Sequence, residues 1–140
     1  MYPPAADTFS SLNLTPLASV KIVVVGQDPI TVRDMDQWKQ ILVTHPLVIV
    51  KFTATWCKPC KQIDPLYVAL AREHVGAKFV RVDVDDCDEI STECGVSMMP
   101  TFSAFRKGQM VRGGAIVRGA DEARLKEMVG LVCEGKVGGT

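Results

Sequence analysis

The stretch KFTATWCKPCK, residues 51–61, decides the fold. It overlaps an apolar run, Leu47 to Thr53, whose continuous hydrophobicity predicts a strand that is buried on both faces. Beyond the cysteines, apolar side chains recur at helical offsets and predict a helix from about Pro59 to His74. Both cysteines of the stretch, Cys57 and Cys60, therefore stand where a buried strand passes into a helix.

Strand and helix patterns alternate on either side of this stretch. The predicted elements are strands at 20–25 and 30–33, a helix from Met35 that Pro46 ends, a strand at 47–53, a helix at 59–74, a strand at 78–84, a short helix at 87–94, a hairpin of 101–106 and 110–117, and a last helix with its inner face at 125–132. Strand-helix-strand units demand parallel pairing, and the late hairpin adds antiparallel strands. The pattern predicts an α/β fold with a central mixed β-sheet flanked by helices on both faces.

The length of the chain fits one domain, since 140 residues are enough to bury a continuous core. Residues 1–19 hold three of the eight prolines and few periodic apolar positions, so we expect a flexible N-terminal extension there. We expect the folded domain over residues 20–135 and a flexible tail over residues 136–140.

Charge and hydropathy exclude several classes of partner. The chain has 16 Lys and Arg residues in total and 16 Asp and Glu residues, so its formal net charge is zero. This balance argues against nucleic acid or an anionic membrane as partner. The longest apolar run, residues 46–50, is far shorter than the ~20 residues of a membrane span. The first twenty residues contain no Lys or Arg, unlike a signal or transit peptide, so we expect a cytoplasmic location, with an organelle as the alternative.

The Cys57-Lys58-Pro59-Cys60 motif has the spacing of a redox pair and also of half a zinc site. A closed zinc site needs two more ligands, and the sequence has neither a second CxxC nor a paired histidine motif. At a helix N-terminus, by contrast, backbone amides and the macrodipole stabilise a thiolate. The context favours thiol–disulfide exchange, without a metal.

Several motifs resemble the thioredoxin family in order and spacing: residues 51–61, VDVDD at 82–86 and MPTF at 99–102, followed by Gly108 and Gly119-Ala120. The resemblance covers about residues 30–133. It implies the thioredoxin fold and a protein-disulfide reductase, an electron carrier that a thioredoxin reductase recycles. It also implies that Cys57 is the attacking thiolate and Cys60 the resolving thiol. We expect a monomer that acts on protein disulfides without a cofactor.

The resemblance also implies a substrate-binding surface. Trp56, Met99, Pro100 and Gly119 should form an apolar platform that holds an extended substrate strand through backbone hydrogen bonds. Pro100 matches the family's cis-proline; the alternative is a trans proline that opens an edge strand. For Trp56 the alternative is a place in the core.

Two residues between the cysteines, Lys58 and Pro59, are expected to face the substrate as well. Lys58 replaces the family's usual glycine, and a nearby cation favours thiolate and raises the reduction potential. With Lys61 and Arg118 it would form a positive rim that prefers acidic substrates. The alternative is three solvated side chains with no such effect.

Lys51 is the main departure from the family pattern, because thioredoxins usually carry a buried Asp there that helps to deprotonate the resolving cysteine. A buried lysine could act as a neutral base, since burial lowers its pKa. It could instead act as a cation that favours the thiolate, or extend to solvent without a role. We expect Asp83 or a water molecule as its counterpart.

Two rival functions remain open from the sequence. One is a thioredoxin-fold binding or regulatory subunit with little redox turnover. The other is a more oxidising disulfide oxidase or isomerase, which its reduction potential would distinguish.

Overall fold

The computed structural model describes residues 27–113 and 115–136. The elements are β1 (Ile30–Thr31), α1 (Met35–Thr44), β2 (Leu47–Thr53), α2 (Lys58–Glu73), β3 (Lys78–Asp83), α3 (Asp88–Glu93), β4 (Thr101–Arg106), β5 (Gln109–Met110), β6 (Val117–Arg118) and α4 (Glu122–Cys133). The predicted strand at 20–25, the extension at 1–19 and all but the first residue of the predicted tail lie outside the described residues.

The sheet is mixed, as the sequence predicts, and β2 lies at its centre. The strand order is β1-β3-β2-β4-β5, and β6 also pairs with β4. β2 runs parallel to β3 and antiparallel to β4. A strand with neighbours on both edges and helices over both faces is shielded from water, which is why the apolar run of β2 is buried.

Side chains of β2 alternate between two cores, one on each face of the sheet. Ile49 points to the face that α2 and α4 cover, and Val48 and Val50 point to the face that α1 and α3 cover. The period of two places Lys51 on the same face as Ile49, towards α2. This alternation brings the lysine to the helix that carries both cysteines.

Tyr67 fixes α2 against the sheet. Its ring is fully buried, and its hydroxyl lies 3.0 Å from the carbonyl oxygen of Ile49 and 2.7 Å from that of Val80. These two carbonyls belong to adjacent strands, β2 and β3. The hydroxyl therefore sets the position of α2, and of the cysteines at its N-terminus, relative to the sheet.

The predicted second strand of the hairpin, residues 110–117, is wrong as one continuous strand. Met110 of β5 pairs with Phe105, and Val117 of β6 pairs with Phe102. Six residues separate Met110 from Val117, against two between their partners, so the surplus residues must leave the ladder. Gly113 in this segment has a φ of +76°, a conformation that glycine adopts without strain.

Candidate active site

Cys57 and Cys60 are joined by a disulfide at the N-terminus of α2, with their Cα atoms 5.3 Å apart. Cys57 is the N-cap residue, and the backbone N–H of Cys60 donates to its sulfur at 3.2 Å. Lys58 and Pro59 occupy the first helical positions, where proline costs no hydrogen bond because the first amides have no helical partner. The Cys-Lys-Pro-Cys sequence therefore begins α2 and also brings the two cysteine sulfurs within bonding distance.

The same capping geometry suits a thiolate on Cys57. Unpaired amides and the macrodipole place partial positive charge at a helix N-terminus. When the disulfide is reduced, the Cys60 amide that faces Cys57 can donate a charge-assisted hydrogen bond to its sulfur. Cys57 is 4% exposed and Cys60 1% exposed, so Cys60 is the deeper of the two.

The Met99–Pro100 peptide bond is cis, so the alternative of a trans proline is wrong. Met99 packs against the small cluster that contains both cysteines. The Gly119 amide donates to the carbonyl oxygen of Pro100 at 2.8 Å. Gly119 has a φ of +92°, which a side chain would strain. The structure therefore brings Met99, Pro100 and Gly119 together beside the disulfide.

Trp56 is 65% exposed, so its assignment to the core is wrong. Its indole N–H donates to the carboxylate of Asp85 at 2.8 Å, a partner that sequence reasoning missed. Met98 is also a large exposed apolar side chain. Because the hydrogen bond orients the indole, an apolar ring is held in solvent next to Cys57.

Lys58, Lys61 and Arg118 are all exposed, as a positive rim requires. Lys58 lies between the two cysteines, Lys61 follows Cys60 on α2, and Arg118 precedes Gly119. Their effect on substrate choice stays a prediction.

Lys51 is 2% exposed, and the expectation that it could extend to solvent is wrong. Its ammonium donates to the carbonyl oxygen of Cys60 at 2.8 Å and to the carboxylate of Asp64 at 2.7 Å. The prediction of Asp83 as the counterpart of Lys51 is also wrong, because the carboxylate that Lys51 contacts is that of Asp64. The register explains this, because β3 sets Arg81 beside Lys51 and places Asp83 two positions further on. Among the described residues, the Asp83 carboxylate accepts hydrogen bonds from two backbone amides of the turn that follows β3 and from no lysine.

Asp64 connects two cations. Its second oxygen accepts from Arg81 at 2.7 Å, while its first accepts from both Lys51 and Arg81. Burial by itself would raise the pKa of Asp64, but the hydrogen bonds and charges of Arg81 and Lys51 hold it below its usual range. Asp64 is therefore a carboxylate, four residues after Cys60 and on the same side of α2.

A cleft of about 300 Å³ opens beside this group of charges. It is lined by Lys51, Thr53, Ala54, Thr55, Cys60, Lys61, Asp64, Arg81 and Asp83. Cys60 and the buried Lys51 thus border the same space, which is large enough for several water molecules.

The comparisons with known proteins decide the family. The family model described as thioredoxin matches residues 29–130. The chain belongs to the thioredoxin family. Thioredoxin of Oryctolagus cuniculus is 54% identical over 65 residues, which cover 46% of this chain and 62% of the rabbit protein. The chain thus spans somewhat less than two thirds of the length of the curated relatives it matches.

Solved thioredoxins confirm the predicted thioredoxin fold. Thioredoxin of Malassezia sympodialis is 31% identical with a TM-score of 0.71, covering 81% of this chain and 99% of that one. Mitochondrial thioredoxin 3 of Saccharomyces cerevisiae is 27% identical with a TM-score of 0.67, covering 73% of this chain and 93% of that one.

Within residues 27–113 and 115–136, no group of three or more His, Cys, Asp or Glu side chains could hold a metal ion. In the same residues, no helix is long and apolar enough to cross a membrane.

Proposed function

We propose that the protein reduces protein disulfides by dithiol–disulfide exchange through Cys57 and Cys60. The observation that supports this most is the disulfide at the N-terminus of α2, beside the exposed Trp56 and the Met99–Pro100 segment. A structural staple would gain nothing from a helix N-terminus that stabilises thiolate.

Each turnover moves two electrons. The Cys57 thiolate attacks one sulfur of the substrate disulfide and releases the other as a thiolate. Cys60, as thiolate, then attacks the sulfur of Cys57; the Cys57–Cys60 bond forms, and the second substrate sulfur leaves with the electron pair of the broken bond. The protein is oxidised by two electrons and the substrate reduced by two. The leaving thiolates take protons from water.

Substrate binding would use the surface around the disulfide. A substrate segment can lie extended along Met99 and Pro100, with its apolar side chains against Trp56. Lys58, Pro59 and Gly119 border the same surface, and Lys58 with Arg118 would favour acidic residues that flank the substrate cysteine.

The partners of this activity are disulfide-containing proteins and a thioredoxin reductase that returns the protein to its dithiol form. We expect a monomer that needs no nucleic acid or membrane. A cytoplasmic location remains our proposal; the similarity to a yeast mitochondrial thioredoxin supports the organellar alternative.

A more oxidising exchange protein is the second candidate. The buried Lys51 ammonium against Cys60 favours it, because a cation stabilises the reduced, thiolate form and raises the reduction potential. The same two cysteines would act in both candidates, and the direction of electron flow would differ.

Trapping tests the two-step exchange. Cys60→Ser leaves the attacking thiolate and removes the resolving thiol, so it should accumulate mixed disulfides with a reducible protein such as insulin. The products are counted by non-reducing electrophoresis and mass spectrometry. Cys57→Ser is the matched control and should trap none. Equal trapping by the two variants would show that Cys57 is not the nucleophile.

A further inference from the structure

Lys51, Asp64 and Arg81, here called the charge cluster, are not required by the exchange chemistry alone. Lys51 comes from β2, Asp64 from α2 and Arg81 from β3, and Asp64 bonds to both cations. Cys60 is the one cysteine whose backbone touches the cluster among the described residues, through its carbonyl oxygen and Lys51. The cluster therefore contacts the backbone of Cys60 and lines the same cleft as that residue.

The charge cluster carries an excess of one positive charge, because one carboxylate faces two cations. The other charged groups that line the cleft are Lys61 of α2 and Asp83 of β3, which offset each other. Arg81 is held by both oxygens of Asp64, whereas Lys51 contacts one oxygen and the Cys60 carbonyl. The excess charge is therefore nearest to Cys60 at the ammonium of Lys51.

A cation next to a thiol favours its ionised form, and burial reduces screening by salt. A resolving cysteine must lose its proton before it attacks. A positioned ammonium lowers the cost of that ionisation without accepting the proton, which leaves to water in the cleft.

We propose that Asp64 positions Lys51 as an ammonium beside Cys60, and that this ammonium stabilises the Cys60 thiolate in the resolving step. The inference rests on the proposed function. In that step the Cys60 proton goes to water, the Cys57–Cys60 bond forms, and the substrate sulfur departs with the electron pair. Asp64 is a positioning residue, since it acts on Cys60 through Lys51.

The opposite assignment, Lys51 as a neutral base, fits the contacts less well. On balance the pKa of Lys51 is below its ordinary value, because burial and the positive charge of Arg81 lower it by more than the hydrogen bond and negative charge of Asp64 raise it. A carboxylate at 2.7 Å stabilises the ammonium and opposes loss of its proton. Direct proton transfer to the amine would also require its approach to the thiol, whereas the amine is engaged by the Cys60 carbonyl.

The direct test measures the pKa of the Cys60 thiol by carbon-13 NMR of labelled cysteine in the full chain. A Cys57→Ser background leaves Cys60 as the single thiol of the motif. Adding Lys51→Met should raise the Cys60 pKa by about 1 unit or more. The matched control, Lys61→Met, removes an exposed cation from the same cleft and should shift it much less. An unchanged or lowered Cys60 pKa in Lys51→Met would overturn the inference.

Two nitrogen-15 NMR measurements on Lys51 test the inference without relying on the Lys51→Met variant to fold correctly. In the unsubstituted protein, the Nζ shift at pH 7 should be that of an ammonium, and a neutral amine would overturn the inference. In Asp64→Asn, the pKa of Lys51 should fall, because desolvation is then opposed by one fewer negative charge. No fall would remove Asp64 from its positioning role.

These outcomes separate the inference from the proposed function. Trapping by Cys60→Ser together with an unmoved Cys60 pKa in Lys51→Met would overturn the inference alone. Failure of Cys60→Ser to trap substrate would overturn the exchange mechanism itself.

Discussion

Replacing Cys57 with serine should bring insulin-disulfide reduction down to the uncatalysed background, with dithiothreitol as the electron source. A serine hydroxyl remains protonated near neutral pH and forms no bond to sulfur that could start the exchange. Serine is also a preferred N-cap residue, so α2 keeps its first turn and the loss is one of chemistry. Turbidity of the precipitating insulin chains gives the rate.

Cys94→Ser is the matched control for that loss. Cys94 is a free cysteine at the end of α3, and burial raises its pKa to about 11, so it is a poor nucleophile. The control should keep the parent rate. Retention of insulin reduction by Cys57→Ser would instead assign the exchange to another cysteine.

Replacing Asp64 with alanine should lower the free energy of unfolding by about 2–3 kcal/mol at pH 7, because it leaves the ammonium of Lys51 buried without its carboxylate. Asp64 keeps 30% of its surface exposed, which places the loss below that of a fully buried pair. Urea denaturation of the oxidised protein measures it. Asp28→Ala, which removes an exposed ion pair with Arg72, is the control and should cost under ~1 kcal/mol.

The pH dependence of this loss has a definite sign. The folded-state pKa of Asp64 is below its ordinary value of 3.8, so its contribution is present above that value. The contribution is lost as the pH falls through the folded-state pKa. The difference in free energy of unfolding between the parent and Asp64→Ala should therefore become smaller in acid. Equal losses from Asp64→Ala and Asp28→Ala at pH 7 would show that the charge cluster contributes no more than a surface pair.

Local pattern was enough to predict the elements that build the site. The apolar run at 47–53 is the buried central strand, and the helical offsets after Cys60 give α2 to within a residue at each end. The cis form of Pro100 followed only from the family resemblance, because no periodicity reports on the geometry of one peptide bond.

The partner of Lys51 could not be predicted in the same way. Strand alternation predicts that Lys51 faces a helix, but the residue it meets depends on how that helix packs across the sheet. Asp64 could have been chosen from the sequence, because a residue four positions after Cys60 lies on the same face of α2. Asp83 was the wrong choice because the parallel register places Arg81 beside Lys51. The Trp56–Asp85 hydrogen bond likewise joins segments whose approach no local pattern encodes.

A redox titration tests the central claim, reversible exchange at Cys57 and Cys60, most directly. The protein is equilibrated in dithiothreitol or glutathione buffers of graded potential, and its free thiols are alkylated and counted by mass spectrometry. We expect one reversible two-electron transition, confined to these two cysteines. Its midpoint should lie above the roughly −270 mV of thioredoxin, because Lys51 favours the thiolate form. A midpoint below about −300 mV, as in structural disulfides, or the absence of a reversible transition would contradict the account.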